Sequence, residues 1–153
     1  MGCQVIRTAT VDDIPACLMM GRAFFDESGF SAELSCDPGS LRETFSHLIY
    51  SDDGVLLIAE RGTEPIGMAG AIAYPNYFNR AEKSAQEMFW WMRPDARGGH
   101  DGVRLLRGLE HWAQSRHCRS ITMICLPELG SPAERVYQRT GYRASERSYI
   151  KRL

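Results

Sequence analysis

A strand-like apolar run ending in Trp90-Trp91-Met92-Arg93 is stopped by Pro94. It is followed by Arg97-Gly98-Gly99-His100-Asp101-Gly102, which opens into a helical pattern. A loop with three glycines before a helix leaves several backbone N–H groups unpaired and aimed at one point. The helix dipole adds positive potential there, so the loop is a seat for a phosphate group.

Two common phosphate loops do not fit. There is no Gly-Lys-Ser/Thr ending to supply the lysine and magnesium ligand of a nucleotide triphosphate loop. Gly98, Gly99 and Gly102 do not make the G-x-G-x-x-G dinucleotide fingerprint, and no Rossmann repeat surrounds them.

Periodicity gives the order of elements around this loop. Gln4 to Thr8 reads as an edge strand. Thr10 and Asp13 have capping-box spacing, and Pro15 suits a first helical turn. Ile14, Cys17, Leu18, Gly21, Phe24 and Phe25 then recur at helical spacing over about three turns. Residues 27–39 read as irregular. Leu41, Phe45, Leu48 and Ile49 mark a second helix, ended by Asp52-Asp53-Gly54.

Val55 to Ala59 and Ile66 to Tyr74 read as strands joined by a hairpin turn at 61–64. Gln86 to Arg93 is the next strand. A helix from Gly102 carries Leu105, Leu106, Leu109, Trp112 and Ala113 on one stripe. Ser120 to Leu126 is a β-type run, and Ser131-Pro132-Ala133-Glu134 is a helix start with Gly141 placed to end it. Rough alternation from Ser145 to Lys151 suggests a last strand. The expected order is β-α-α-β-β-β-α-β-α-β, in a single domain over residues 1–153.

Three motifs carry a family resemblance. They are the loop Arg97-Gly98-Gly99-His100-Asp101-Gly102, the strand end Met92-Arg93-Pro94-Asp95-Ala96-Arg97, and the late-helix run Tyr137-Gln138-Arg139-Thr140-Gly141-Tyr142. With the element order, they resemble the GCN5-related N-acetyltransferase (GNAT) superfamily. The motifs span about residues 86 to 142; the element order spans nearly the whole chain. The resemblance implies an α/β (α+β) fold with a mixed, mostly antiparallel central sheet of about six to seven strands, flanked by about four helices. It implies an acetyl-CoA-dependent N-acetyltransferase that moves an acetyl group to a primary amine by direct attack in a ternary complex. Acetyl-CoA is the cosubstrate, and no metal is implied.

The same resemblance assigns cofactor contacts to Trp91, Met92, Arg93, Arg97, Gly98, Gly99, His100, Gly102 and Val103. Met92 matches the position whose N–H polarises the thioester carbonyl. Tyr137 matches the general acid; helix spacing alone would make it a core tyrosine. Glu87 is the candidate base, with Glu82 a weaker one; solvent exposure or ion pairing is the plain alternative. Arg104 and Arg107 either reach phosphate or decorate an exposed helix face. His100 stands where the family keeps a glycine, which leaves a silent CoA-binding or protein-interaction module on the same fold as the alternative function.

The formal net charge of −1 gives no bulk attraction to nucleic acid or an anionic membrane. No apolar run approaches the roughly 20 residues that span a bilayer. Five scattered cysteines without a C-x-x-C pair fit a reduced, cytoplasmic setting and structural burial. The histidines and cysteines have no zinc spacing. Partners are then a small-molecule or protein amine, with no nucleic acid and no membrane; a homodimer is left open. No acidic cluster marks a polyamine or aminoglycoside site, and Phe24, Phe25, Phe30, Tyr74, Tyr77 and Phe78 either line the acceptor pocket or close the core.

Overall fold

The apolar runs form one sheet in the computed structural model, which describes residues 4–126 and 131–153. Its strands are β1 (Gln4–Thr8), β2 (Gly54–Arg61), β3 (Glu64–Pro75), β4 (Lys83–Met92) and β5 (Cys118–Thr122). They lie in chain order. Every pairing is antiparallel except β4–β5, which is parallel. The helices are α1 (Ile14–Ser28), α2 (Pro38–Tyr50), α3 (Asp101–Ser115) and α4 (Pro132–Arg139). The parallel pair follows from α3, which carries the chain back along the sheet between β4 and β5.

Strict alternation splits β2 between two core layers. Val55, Leu57 and Ala59 pack with Leu105 and Leu109 on the α3 side. Leu56 and Ile58 pack with Cys17, Met20, Phe45 and Leu48 on the α1–α2 side. Helices on both faces explain why β2 and β3 read as near-continuous apolar runs. The two helices of the second layer approach closely at Gly21, where an added Cβ would lie 2.9 Å from both Leu41 Cδ2 and Phe45 Cζ.

Several boundaries differ from the sequence reading. α1 continues to Ser28 and is closed by Gly29 at φ 80°, a left-handed cap. Pro38 and Gly39 lie in the first turn of α2, where proline needs no N–H; Asp37 caps it by accepting from the Ser40 N–H at 2.7 Å. β5 is shorter than the β-type run and stops at Thr122.

The largest correction is at the end of the chain. Residues 143–153 form no strand, and Tyr149 and Ile150 are exposed, so among the described residues the sheet has five strands and not six to seven. Residues 145–151 offer one apolar side chain to each face, Tyr149 and Ile150. That is too little buried surface to hold a strand on a short edge. Among the described residues there are four α-helices, in line with the expected number. No helix among the described residues is long and apolar enough to cross a membrane.

Candidate active site

β4 organises the site through two irregularities. Gly70 pairs with Phe89 and Ala71 with Glu87, so Met88 is an extra residue and β4 is bulged. Pairing with β5 ends at Gln86–Thr122. Past that point β4 runs on to Met92 without β5 beside it, and a cleft opens between the two chain segments.

Glu87 and Tyr137 meet in this cleft across the backbone of Ile124. The Ile124 N–H donates to Glu87 Oε2 at 2.9 Å. The Tyr137 hydroxyl donates to Ile124 O at 2.8 Å. Glu87 is only 3% exposed, and burial pushes its carboxyl up to about 7 against the opposing hydrogen bond from Ile124. Burial, helped by the nearby Glu87 charge, drives the Tyr137 phenol well above its usual value, so it holds its proton at neutral pH. Its ring lies between Trp90 (5.4 Å between centroids) and Tyr142 (5.6 Å). The cleft has a volume of about 140 Å³, and Phe24, Phe30, Leu126 and Ser131 complete its walls.

Met92 lies at the end of the same strand. It pairs with Gly67, and the bond flanking the pair runs from Arg93 N–H to Ile66 O at 2.8 Å. By antiparallel alternation, the N–H and C=O of Met92 itself face the opposite edge, where β5 has diverged. The carbonyl accepts from Arg97 Nε at 2.8 Å. The N–H remains directed at the opening.

The glycine loop follows. Gly98 has φ 82°, which only glycine adopts freely, and an added Cβ there would meet nothing within 4 Å. Gly99 and His100 are exposed. The first bond of α3 is Arg104 N–H to His100 O, so the amides of 101–103 are the unbonded donors of the helix. His100 has φ −85° and ψ −15°, an ordinary helical conformation, so its departure from glycine costs no backbone strain. Gly102 accepts from Trp90 Nε1 at 2.9 Å, and Val103 is half-buried beside it. These amides, with Met92 N–H, are donors suited to a pyrophosphate and a carbonyl.

The arginines are placed less simply. Arg93 pairs with Glu64 and Asp95, which commits it to the start of β3 and to its own turn. Arg97 pairs with Glu27 at 2.7 Å and lies over the Trp91 ring, 5.7 Å from its centroid. Trp91 Nε1 donates to the other oxygen of Glu27 at 3.2 Å. Arg104 pairs with the buried Asp101 at 3.3 Å, and Arg107 with Glu110 at 2.6 Å.

Other candidates separate from the site. Glu82 sits before β4, at the end away from Met92, with Arg119 at 3.7 Å. Tyr77 and Phe78 are exposed. Of the cysteines, only Cys17 is buried; Cys36 and Cys118 are half-buried, Cys125 is exposed, and Cys3 lies outside the described residues. No group of three or more metal-ligating side chains occurs among the described residues. Sequence reasoning missed Glu27 and Ile124, whose roles arise from contacts distant in the chain.

The sequence model of the acetyltransferase (GNAT) family matches residues 22–142. The chain belongs to that family. Its cleft, bulge and glycine loop thus lie on a GNAT fold, with solved relatives of low identity. A predicted acetyltransferase from Clostridium acetobutylicum, solved with acetyl-CoA, is 21% identical with a TM-score of 0.80, covering 99% of this GNAT chain and 97% of that one. The aminoglycoside N-acetyltransferase AAC(6')-Iy, in complex with a CoA-linked bisubstrate analogue, is 16% identical with a TM-score of 0.80 over 99% and 98%. A ribosomal-protein-alanine N-acetyltransferase from Brucella melitensis is 16% identical with a TM-score of 0.73 over 99% of each chain. No curated protein matches this GNAT chain by sequence.

Proposed function

We propose that the protein is an N-acetyltransferase that moves the acetyl group of acetyl-CoA to a small-molecule primary amine by direct attack in a ternary complex. The observation that carries this reading is the pair Glu87 and Tyr137, a base-like carboxylate and a neutral phenol held across Ile124 in one cleft. The amides of 98–103 would hold the pyrophosphate, and Met92 N–H the thioester carbonyl. Relatives on this fold that acetylate aminoglycosides, or are solved with acetyl-CoA, support the small-molecule acceptor and the donor.

An alkylammonium has a pKa of about 10.4 and must lose a proton before it attacks. Glu87, half ionised near neutral pH, takes that proton. The amine nitrogen bonds to the acetyl carbon while the carbonyl oxygen gains charge beside Met92 N–H. The C–S bond then breaks, and Tyr137 gives its proton to the leaving thiolate. The second amine proton restores Tyr137, and the proton on Glu87 returns to solvent. The products are an amide, a free thiol and one proton.

Calorimetric titration with acetyl-CoA, followed by free-thiol detection over a panel of amines, tests this. Saturable binding and amine-dependent thiol release are expected. Absence of binding at millimolar acetyl-CoA refutes it.

A further inference from the structure

The walls of the cleft identify the chemical class of the acceptor. Among the described residues, Glu87 is its one buried charged side chain, and Oε1 of that carboxylate carries no hydrogen bond. The other polar side chains there are already bonded. The Ser131 hydroxyl accepts from Glu134 N–H at 3.2 Å and lies 3.3 Å from Cys125 Sγ. The Tyr137 hydroxyl donates to Ile124 O. The remaining walls include Phe24, Phe30, Met88, Trp90, Ile124 and Leu126, whose side chains carry no charge.

The rim points the same way. Residues 23–41, which supply Phe24 and Phe30, contain Asp26, Glu27, Glu33 and Asp37 and no basic residue. By count alone this is an acidic mouth for a polycation. Three of the four are committed elsewhere: Asp26 to Arg22, Glu27 to Arg97 and Trp91, and Asp37 to the cap of α2. A polyamine or an aminosugar would set any second charge or hydroxyl that enters the cleft against phenylalanine, and any that stays outside at a rim whose carboxylates, Glu33 apart, already have partners. Each unpaired polar group buried in the cleft is strongly unfavourable.

We propose that the acceptor is a small primary amine with a single positive charge carried on an apolar body, an arylalkyl or branched alkyl amine. This rests on the acetyltransferase reading above and narrows it. The nitrogen meets Glu87 Oε1, and the body lies against Phe24, Phe30 and Leu126. The cleft, at about 140 Å³, is close to the roughly 150 Å³ that holds a benzene ring in an apolar cavity. One ring or one branched chain fills it. An open groove of about 360 Å³ beside α2, with Glu43 and His47 on its wall, shares only Met88 with the cleft lining.

The test is kcat/KM from thiol release at saturating acetyl-CoA. The panel is benzylamine, phenethylamine and isoamylamine against spermidine, neamine and an alanyl dipeptide. Apolar monoamines are expected to exceed the others by about tenfold or more, the scale of discrimination by one or two well-placed contacts. Phe30→Ser should lower kcat/KM for phenethylamine about tenfold through KM. Spermidine, neamine or the dipeptide equalling the apolar amines overturns this proposal and leaves the acetyltransferase reading standing. Acetyl-CoA binding with no thiol release from any amine overturns both.

Discussion

Arg97 and Glu27 join across seventy positions of chain at 2.7 Å, tying the first residue of the glycine loop to the last turn of α1. Arg97 also bonds the Met92 carbonyl, and Glu27 also holds the Trp91 indole. One carboxylate therefore links the acceptor-side helix to the strand end and the loop. The pair is nearly half exposed on both sides, so its own contribution to stability is about 0.2–1 kcal/mol. Its effect is expected on positioning. Glu27→Ala should weaken acetyl-CoA binding several-fold with little change in unfolding free energy. Arg97→Ala should weaken it about tenfold or more, because it also removes a charge-assisted bond worth roughly 1.5–3 kcal/mol. Calorimetry on the double variant should show less than the sum of the two losses. Strict additivity would mean that the two residues act separately.

The burial of Glu87 sets a pH signature in turnover. With its carboxyl near 7 before the amine binds, kcat/KM for the amine should rise about tenfold per unit below pH 7 and level off above it. Glu87→Gln should flatten that rise and lower kcat by roughly 10²–10⁴. A variant that keeps the full pH rise removes Glu87 as the base.

The same group makes a stability signature of opposite sense. In the unfolded chain this carboxyl ionises near its ordinary value of 4.5; in the folded chain it does so near 7. Between those values the folded state binds more protons, so stability is full below pH 4.5 and is lost as pH rises through 7. The loss approaches about 3 kcal/mol at complete ionisation. Glu87→Gln keeps an oxygen to accept from Ile124 N–H. It should be less active yet more stable than the parent at pH 8, with little difference at pH 4.5, in urea unfolding.

Tyr137→Phe keeps the ring between Trp90 and Tyr142 but leaves Ile124 O without its donor. The cost in stability should be about 1–2 kcal/mol. As loss of the acid, it should slow kcat about 10- to 100-fold while the KM for acetyl-CoA moves less than about threefold. Unchanged turnover would return Tyr137 to a purely structural role.

What the sequence made legible is what local rules control. The Pro94 stop, the glycine loop, the Ser131 cap and the hairpin at Gly62 are short-range, and each lies where its spacing puts it. Motif matching brought Glu87 and Tyr137 into one site although fifty residues separate them. The partners of the arginines were not legible: Glu27, Glu64 and Asp101 are selected by tertiary geometry, and a motif arginine reads the same whether it faces phosphate or a carboxylate. The bulge at Met88 was hidden too, because an extra residue in a strand leaves no composition signal. The last strand failed for the opposite reason, since alternation of mostly polar residues imitates a strand without the apolar face that holds one.

The motif resemblance expects glycine where His100 stands, yet the backbone angles there suit any residue. His100→Gly should cost about 0.5–1 kcal/mol in stability from added unfolded-state freedom. The dissociation constant for acetyl-CoA should change less than about threefold. Tightening beyond tenfold would show instead that the imidazole obstructs the loop.

Arg7 joins three elements at the far edge of the sheet. From β1 it donates to Asp13 at the start of α1, at 2.7 Å and 2.8 Å, and to Glu60 of β2. Asp13 in turn accepts from Thr10 N–H at 2.7 Å, closing the turn into the helix. The Arg7 guanidinium holds the Asp13 carboxyl down at about 2. A depressed carboxyl adds stability that is complete above its ordinary 3.8 and is lost as pH falls toward 2. Arg7→Met leaves two largely buried carboxylates facing each other. Breaking such a pair costs about 3–5 kcal/mol when fully buried; with Arg7 about one third exposed, about 2 kcal/mol is expected. The deficit measured by urea unfolding at pH 7 should shrink by pH 3, where the unpaired carboxylates take up protons. A deficit independent of pH would mean that Arg7 contributes through the packing of its stem and not through its charge.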